Sequence, residues 1–286
     1  MCSSDLIKDL IDTGVNVFRL NFSHGSHEQH KISYDNIREA AKNANKIIGI
    51  LLDLQGPKIR VGKFENNKIN LETGANFILS CDEDVVGTNE QVSVSYKDLY
   101  KDLKKGDYLL FDDGKLKVEV KHIAGKAIHT IVLIGGVLSN NKGINVPIAD
   151  LSVAAMNKKD IQDLKFGEEI EVDWVALSFV RKHEDLLLAR HYLKLFNSDA
   201  KLMAKIEKPS AIKNFSEILK TADGIMVARG DLGVELSPQQ VPMLQKTLIR
   251  KYRKEAKTAV SATQMLENRI ENHIQTRAEA SAAAKR

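Results

Sequence analysis

Leu202-Met-Ala-Lys-Ile-Glu-Lys-Pro209, LMAKIEKP, reads as a buried sheet strand with an ionic end. Leu202, Met203, Ala204 and Ile206 suit a sheet interior, yet Lys205 and Glu207 interrupt them two residues apart. Side chains at i and i+2 of a strand point to the same face. A cation and a carboxylate therefore stand together on one face, at the C-terminal tip of a strand that is otherwise dry.

The same design recurs along the chain. Strands are expected at VNVFRLNF (15–22), IIGILLDLQ (47–55), WVALSF (174–179), KLMAKIE (201–207), GIMVAR (224–229) and AVSATQ (259–264). Helical stretches separate them. SSDLIKDLIDTG has a Ser or Asp cap and Gly14 as stop, and SHEQHKISYDNIREAAKNA opens with Ser26 and Gln29 at capping-box spacing. SPQQVPMLQKTLIRKYRKEA offers Ser237 as cap, Pro238 at the first helical position and Gln240 three residues after the cap.

Polar residues gather at the strand ends: Arg19 and Asn21, Asp53, Ser178, Lys205 and Glu207, Arg229, Thr263. Alternating β and α elements with buried parallel strands mean a doubly wound sheet or a barrel. In a barrel such ends converge on one mouth, and no Rossmann or Walker loop follows the first strands. A (β/α) barrel is expected, over residues 1–61 and 152–286. Residues 62–151 differ: KINLETGANFILS, QVSVS and GDYLLFDDGKLKVEVKHIAGKAIHTIVLIGG alternate apolar and polar residues between Gly, Asp and Asn turns. They predict an inserted, mostly antiparallel all-β domain.

Composition narrows the function classes. The 286 residues are 43% apolar and 28% charged, with a net charge of +4 and no long basic run, so neither nucleic acid nor membrane is an expected partner. Cys2 and Cys81 make no disulfide framework, and no apolar run or leader pattern stands out. A cytoplasmic protein is expected.

Glu207 and Asp231 close or follow successive strands, which lie about 4.8 Å apart, so both carboxylates could share one magnesium ion. A salt bridge of Glu207 with Lys205 or Arg229 is the alternative. Lys205 is costly at an apolar edge unless an anion meets it, and with Arg19 and Arg229 it suits a transferring phosphoryl group. Lys205 as a solvated rim residue is the alternative there. The glycines of RGDLG (229–233) let backbone amides approach a ligand, although Gly-Asp pairs mostly mark turns. HGSHEQH (24–30) suggests zinc, but its histidines diverge on a helix and no further ligand completes a set.

In that order, NVFRLNFSHGSHEQH, LLDLQGPKIRVG, MAKIEKPSAI, GIMVARGDLGVEL and SATQMLENRIEN resemble the pyruvate kinase family, from about Leu6 to Glu279. The resemblance implies phosphoryl transfer from phosphoenolpyruvate to ADP, giving pyruvate and ATP. It implies Lys205 as the lysine that stabilises the phosphoryl group, and Glu207 and Asp231 as ligands of Mg2+ or Mn2+. Arg19 would face substrate, Gly230 and Asp231 would receive its carboxylate, and Thr263 would lie beside the carbon that is protonated. His24, Arg60 and Lys159 match nucleotide-side positions. Asn21, Ser23, Asp53 and the Leu54 carbonyl match a monovalent-cation site.

Departures matter as much. Lys58 stands where potassium-dependent members carry glutamate, so potassium is not expected to be required. The chain opens with MCSSDLIKDL where the family has a strand like KIVATIGPAS, and TRAEASAAAKR replaces the run towards LSGETA, without the proline that usually precedes that threonine. An incomplete barrel lacking its first and eighth strands and the C-terminal domain is expected, with two open sheet edges. Such a chain would be an impaired phosphotransferase whose parent enzyme is a homo-oligomer. Alternatives are an inert fragment that binds nucleotide or self-associates, and a metal-dependent enolpyruvate lyase or aldolase barrel.

Overall fold

The computed structural model describes residues 4–82, 85–147, 151–236, 238–263, 267–274, 276 and 279. Six parallel strands form one curved sheet: β1 (Val17–Asn21), β2 (Gly49–Asp53), β3 (Trp174–Leu177), β4 (Lys201–Ile206), β5 (Gly224–Ala228) and β6 (Thr258–Ala262). Their spatial order is their chain order, and among the described residues the sheet does not close: β1 and β6 do not pair. This is an incomplete (β/α) barrel; five strands fall inside the stretches that the sequence marks, and the sixth starts one residue before its stretch, at Thr258.

Helices cover the outer face because the connections are amphipathic. His27–Asn43 starts with the expected box: the Ser26 hydroxyl accepts from the Gln29 backbone N–H while the Gln29 side chain accepts from the Ser26 N–H. Lys158–Glu169 has the same device in Asn157 and Asp160. The expectation at 237–240 needs correction. Ser237 lies outside the described residues, Pro238–Gln240 is a 3-10 turn, and the helix runs Val241–Lys254 with Gln240 making no side-chain cap bond. Pro242 in the first turn explains the later start, since its missing N–H costs nothing there.

Period two places the barrel side chains. Leu52, Val175, Leu177, Ala204, Ile206 and Val227 join the outer core under the helices. The alternate positions Leu51, Ala176, Met203 and Met226 form a small inner cluster. Two residues further along the same strands and on the same face come Asp53, Ser178 and Lys205, so a polar layer caps an apolar one.

Between β2 and the helix Lys158–Glu169 lies the β module. Its seven-stranded sheet runs Ile59–Arg60, Gly143–Asn145, Tyr108–Phe111, Leu116–Ala124, Ala127–Ile134, Asn76–Ser80, Gln91–Ser93, and a two-stranded ladder joins Lys68–Leu71 to Gly136–Ser139. Every pair is antiparallel except Asn76–Ser80 with Gln91–Ser93. The module has its own core, including Phe77, Leu79, Leu109, Phe111 and Val118.

Candidate active site

Lys205 is the centre of the mouth. Its ammonium donates to Ser178 Oγ at 2.7 Å and lies 3.1 Å from Asp53 Oδ1 and 3.0 Å from Glu207 Oε1. Lys205 is 8% exposed, which rules out the solvated-rim alternative. Burial alone would lower its pKa, but the charges of Glu207 and Asp53 outweigh that and hold it above the ordinary lysine value. Asp53, 1% exposed, also takes the Arg19 Nε at 2.6 Å, so one carboxylate bridges two cations.

Glu207 follows β4 directly and is 1% exposed. Its Oε2 accepts the Phe179 backbone N–H at 2.6 Å. Phe179 is held at φ 56°, a conformation a bulky residue adopts only under constraint from its surroundings. Glu207 Oε1 touches Lys205 ionically yet makes no hydrogen bond of regular angle. Burial pushes the Glu207 pKa up, Lys205 opposes that, and the nearby negative charge of Asp231 adds to it. The salt bridge of Glu207 with Lys205 is thus present, and Arg229 instead donates to the carbonyls of Ala262 and Thr263.

RGDLG is not a loop. Arg229–Glu235 is a short helix that opens immediately after β5. Its Gly230 N–H donates to Thr263 Oγ1 at 3.1 Å, which ties the tip of β5 to the tip of β6. Thr263 sits at φ 69°, a second strained non-glycine residue at the mouth. Asp231 is part-exposed, and Lys58 Nζ lies 3.7 Å from its Oδ1 and 3.7 Å from Asp113 Oδ1 of the β module.

Glu207 and Asp231 are the two carboxylates that a divalent cation would bridge. Glu207 Oε1 is a buried acceptor without a hydrogen bond, and Asp231 raises its proton affinity by repulsion that a shared cation would relieve. No group of three or more His, Cys, Asp or Glu side chains gathers for a metal among the described residues, so further ligands would come from water and substrate.

The remaining candidates divide into clusters. Asn21 and Asp53 are register partners, Asn21 Oδ1 accepts the Ser23 N–H at 3.2 Å, and the Leu54 carbonyl accepts from Ser178 Oγ at 2.7 Å. Lys58 is directed to Asp231 and Asp113 instead of to these groups. Lys159 lies over Phe22, whereas His24 is exposed and enters this cluster only through its carbonyl. His30 stacks on the Phe22 ring at 4.0 Å and pairs with the His24 carbonyl, while Lys159 donates to the Phe22 carbonyl at 2.8 Å and to Asp163 at 2.5 Å. His27 also pairs with Asp163, at 2.7 Å, so the histidine string is spent on packing and on a buried carboxylate. Arg60 belongs to the β module and donates to the Asn141 carbonyl at 2.9 Å.

Three participants escape the sequence reading. Ser178 was visible as a polar strand end, but its bond to Lys205 was not. The Phe179 N–H carries no side-chain signal at all. Gly56 does have one, as the glycine of LQGPK: at φ +69°, a Cβ there would lie 2.9 Å from the Ser178 Cβ.

Comparison with known proteins agrees with this layout. The family model described as the pyruvate kinase barrel domain matches residues 2–285. A pyruvate kinase of Clostridium perfringens (strain 13 / Type A) is 44% identical over 280 residues, covering 98% of this chain and 59% of that protein. One from Staphylococcus aureus (strain USA300) is 45% identical over 284 residues, covering 99% of this chain and 48% of that protein. The chain therefore spans roughly half the length of these relatives. With the strand order, the ionic layer and the match along nearly every residue in agreement, the chain belongs to the pyruvate kinase family, in its barrel-domain part.

Proposed function

We propose that this chain binds phosphoenolpyruvate and ADP at the barrel mouth and moves the phosphoryl group from one to the other, giving pyruvate and ATP. The observation that carries this reading is the buried ionic layer, in which Lys205 is held between Asp53 and Glu207. Lys205 is kept charged and can trade its resting carboxylates for phosphoryl oxygens. Arg19, half exposed beside Asp53, approaches the same oxygens from the solvent side.

The substrate carboxylate takes over the Gly230 N–H, which frees the Thr263 hydroxyl to face the enolate carbon that gains a proton. Glu207 and Asp231 would hold Mg2+ or Mn2+, which supplies Lewis-acid stabilisation of the transferring charge when bound. His24, Arg60 and Lys159 serve the nucleotide side. In this reading residues 62–151, joined by the strand Ile59–Arg60 that pairs into their sheet, act as a lid over the barrel formed by the rest of 1–61 and by 152–286. Asn21, Ser23, Asp53 and Leu54 mark the monovalent-cation position, and Lys58, held beside Asp231 instead of at that position, makes potassium dispensable by supplying its fixed charge to the mouth from there. The enzyme would work in the cytoplasm, its full-length parent as a homo-oligomer. No helix long and apolar enough to cross a membrane occurs among the described residues.

The test joins binding to turnover. Manganese binding, followed by electron paramagnetic resonance, should tighten with phosphoenolpyruvate and weaken in Glu207→Gln. ATP formation should fall on the order of 10²–10³-fold in Lys205→Met. Exchanging potassium for tetramethylammonium at constant ionic strength should leave the rate unchanged, and a many-fold dependence on potassium would remove Lys58 from its role. A chain that binds both ligands without making ATP would reduce the proposal to substrate binding, and one that binds neither would end it.

A further inference from the structure

The chain leaves the barrel through residues 57–59 and its returning segments include 144–147 and 151–153. All of these wall one cavity of about 300 Å³. Its remaining walls are the Phe179–Arg181 turn and the helix Pro209–Lys213 with its flanking Lys208 and Asn214. Lys205, Glu207, Asp231, His24, Arg60 and Lys159 are not among the lining residues, so the cavity adjoins the site described above through Lys58 and Phe179 without containing its ionic centre or its nucleotide side.

Its chemistry is two-sided. Ile59, Ile144 and Val146, all buried, make an apolar wall on the β-module side, and Phe179 presents an aromatic ring. On the barrel side stand Arg181, Lys208 and Lys213, and no carboxylate lines the cavity among the described residues. Arg181 donates to the carbonyls of Leu151 and Val153, and Lys208 pairs with Glu235 at 2.5 Å, so both are fixed in place. Lys213 has no carboxylate facing it among the described contacts.

One buried group asks for a partner. Asn145, 2% exposed, spends its amide N–H on Glu235 Oε1 at 2.7 Å, which leaves Asn145 Oδ1 a buried acceptor without a donor. Such an atom costs free energy until a donor reaches it. The volume lies at the lower end of the range for small-molecule sites.

We propose that this hinge cavity binds a small aromatic carboxylic acid that carries a hydroxyl. Its carboxylate would meet Lys213 beside Lys208, its ring would pack on Phe179 and the isoleucines, and its hydroxyl would donate to Asn145 Oδ1. The occupant touches both crossings between barrel and β module, and it also touches Phe179, whose N–H orients Glu207. It is therefore an effector that fixes the angle of the β module. The proposal stands apart from phosphoryl transfer, because binding is read without phosphoenolpyruvate or nucleotide.

The probe is 4-hydroxybenzoate, titrated into the purified chain by calorimetry, with phenol and inorganic phosphate as controls that each lack half of the chemistry. Saturable binding with a dissociation constant on the order of 1 mM or tighter is expected, together with slowed amide hydrogen exchange in residues 57–61 and 143–147. Both controls should bind far more weakly. Ser210→Phe, which fills the cavity from its rim, should abolish binding while melting as the parent does, and Lys213→Met should weaken it severalfold. Should Ser210→Phe not fold, Lys213→Met and the exchange pattern decide. Absence of saturable binding, equal binding of phenol, undiminished binding by Ser210→Phe, or protection elsewhere would each overturn the proposal.

Discussion

Gly224–Ala228 in the barrel is buried at every position, whereas Leu116–Ala124 in the β module alternates buried and half-exposed residues until its tip frays into solvent. The first strand is covered on one face by helices and on the other by the barrel interior; the second has one face in water. A polar side chain in the barrel strands therefore has no neutral place to go. Asp53, Ser178 and Lys205 are all buried, and each is bonded to another member of the same set. Among the described residues of the β module, the buried polar ones are the neutral Ser93, Thr130 and Asn145 and one carboxylate, Asp107, which accepts the Lys104 N–H. Helices bury Asp160, Asp163, Asp185 and Glu235 as well, but the buried cation Lys205 and the carboxylates of Asp53 and Glu207 meet where the parallel strands end.

The strongest way to break this comparison is to remove the central charge. Lys205→Met leaves Asp53 and Glu207 buried without their ammonium, and stability should fall by about 3–5 kcal/mol, measured by urea denaturation near neutral pH. The sign with pH follows from the raised pKa of Lys205, to which burial contributes unfavourably and the two carboxylates favourably. The stabilisation is complete below the ordinary lysine pKa and is lost only as pH rises through the higher folded-state value. The gap between parent and variant should therefore persist up to the ordinary lysine pKa and close only above it. A loss under 1 kcal/mol would mean that the layer is solvated, and the contrast between the two regions would fail.

This contrast also governs what could be read from the residues alone. KLMAKIE announces its function because lysine and glutamate have no structural excuse in a strand buried on both faces. All six barrel strands were legible for that reason, as was the convergence of Lys205, Glu207 and Asp53. Asn145 and Asp113 were invisible, since GINVP and FDDGK read as an ordinary strand and turn in which polar residues are expected. Phe179 was invisible for another reason: its contribution is a backbone N–H held at positive φ, and no side-chain type encodes that. The position of Lys58 between Asp113 and Asp231 depends on how the module docks, which is a long-range property.

Within the β module, the buried hydroxyl of Thr130 donates to the Phe77 carbonyl at 2.6 Å. Thr130→Val keeps the β-branched shape and deletes this one neutral bond, so a cost of about 1 kcal/mol is expected in the same denaturation assay. That is several times less than the barrel substitution at comparable burial. A loss as large as that of Lys205→Met would show that burial alone, regardless of charge, sets the scale.

The smallest effect belongs to the wet face. Lys121 pairs with Glu119 at 3.0 Å along one strand, with side-chain exposures of 43% and 32%. Water screens such a pair, and ordering two long side chains offsets much of its attraction, so Lys121→Ala should change stability by no more than about 0.5 kcal/mol. Added salt should shrink even that difference, since exposed charges are screened over about 10 Å at 0.1 M ionic strength. The Lys205→Met difference should respond far less to salt, because its carboxylates are out of solvent. Equal salt sensitivity in the two variants would place both charges in the same dielectric environment and erase the distinction between barrel mouth and module surface.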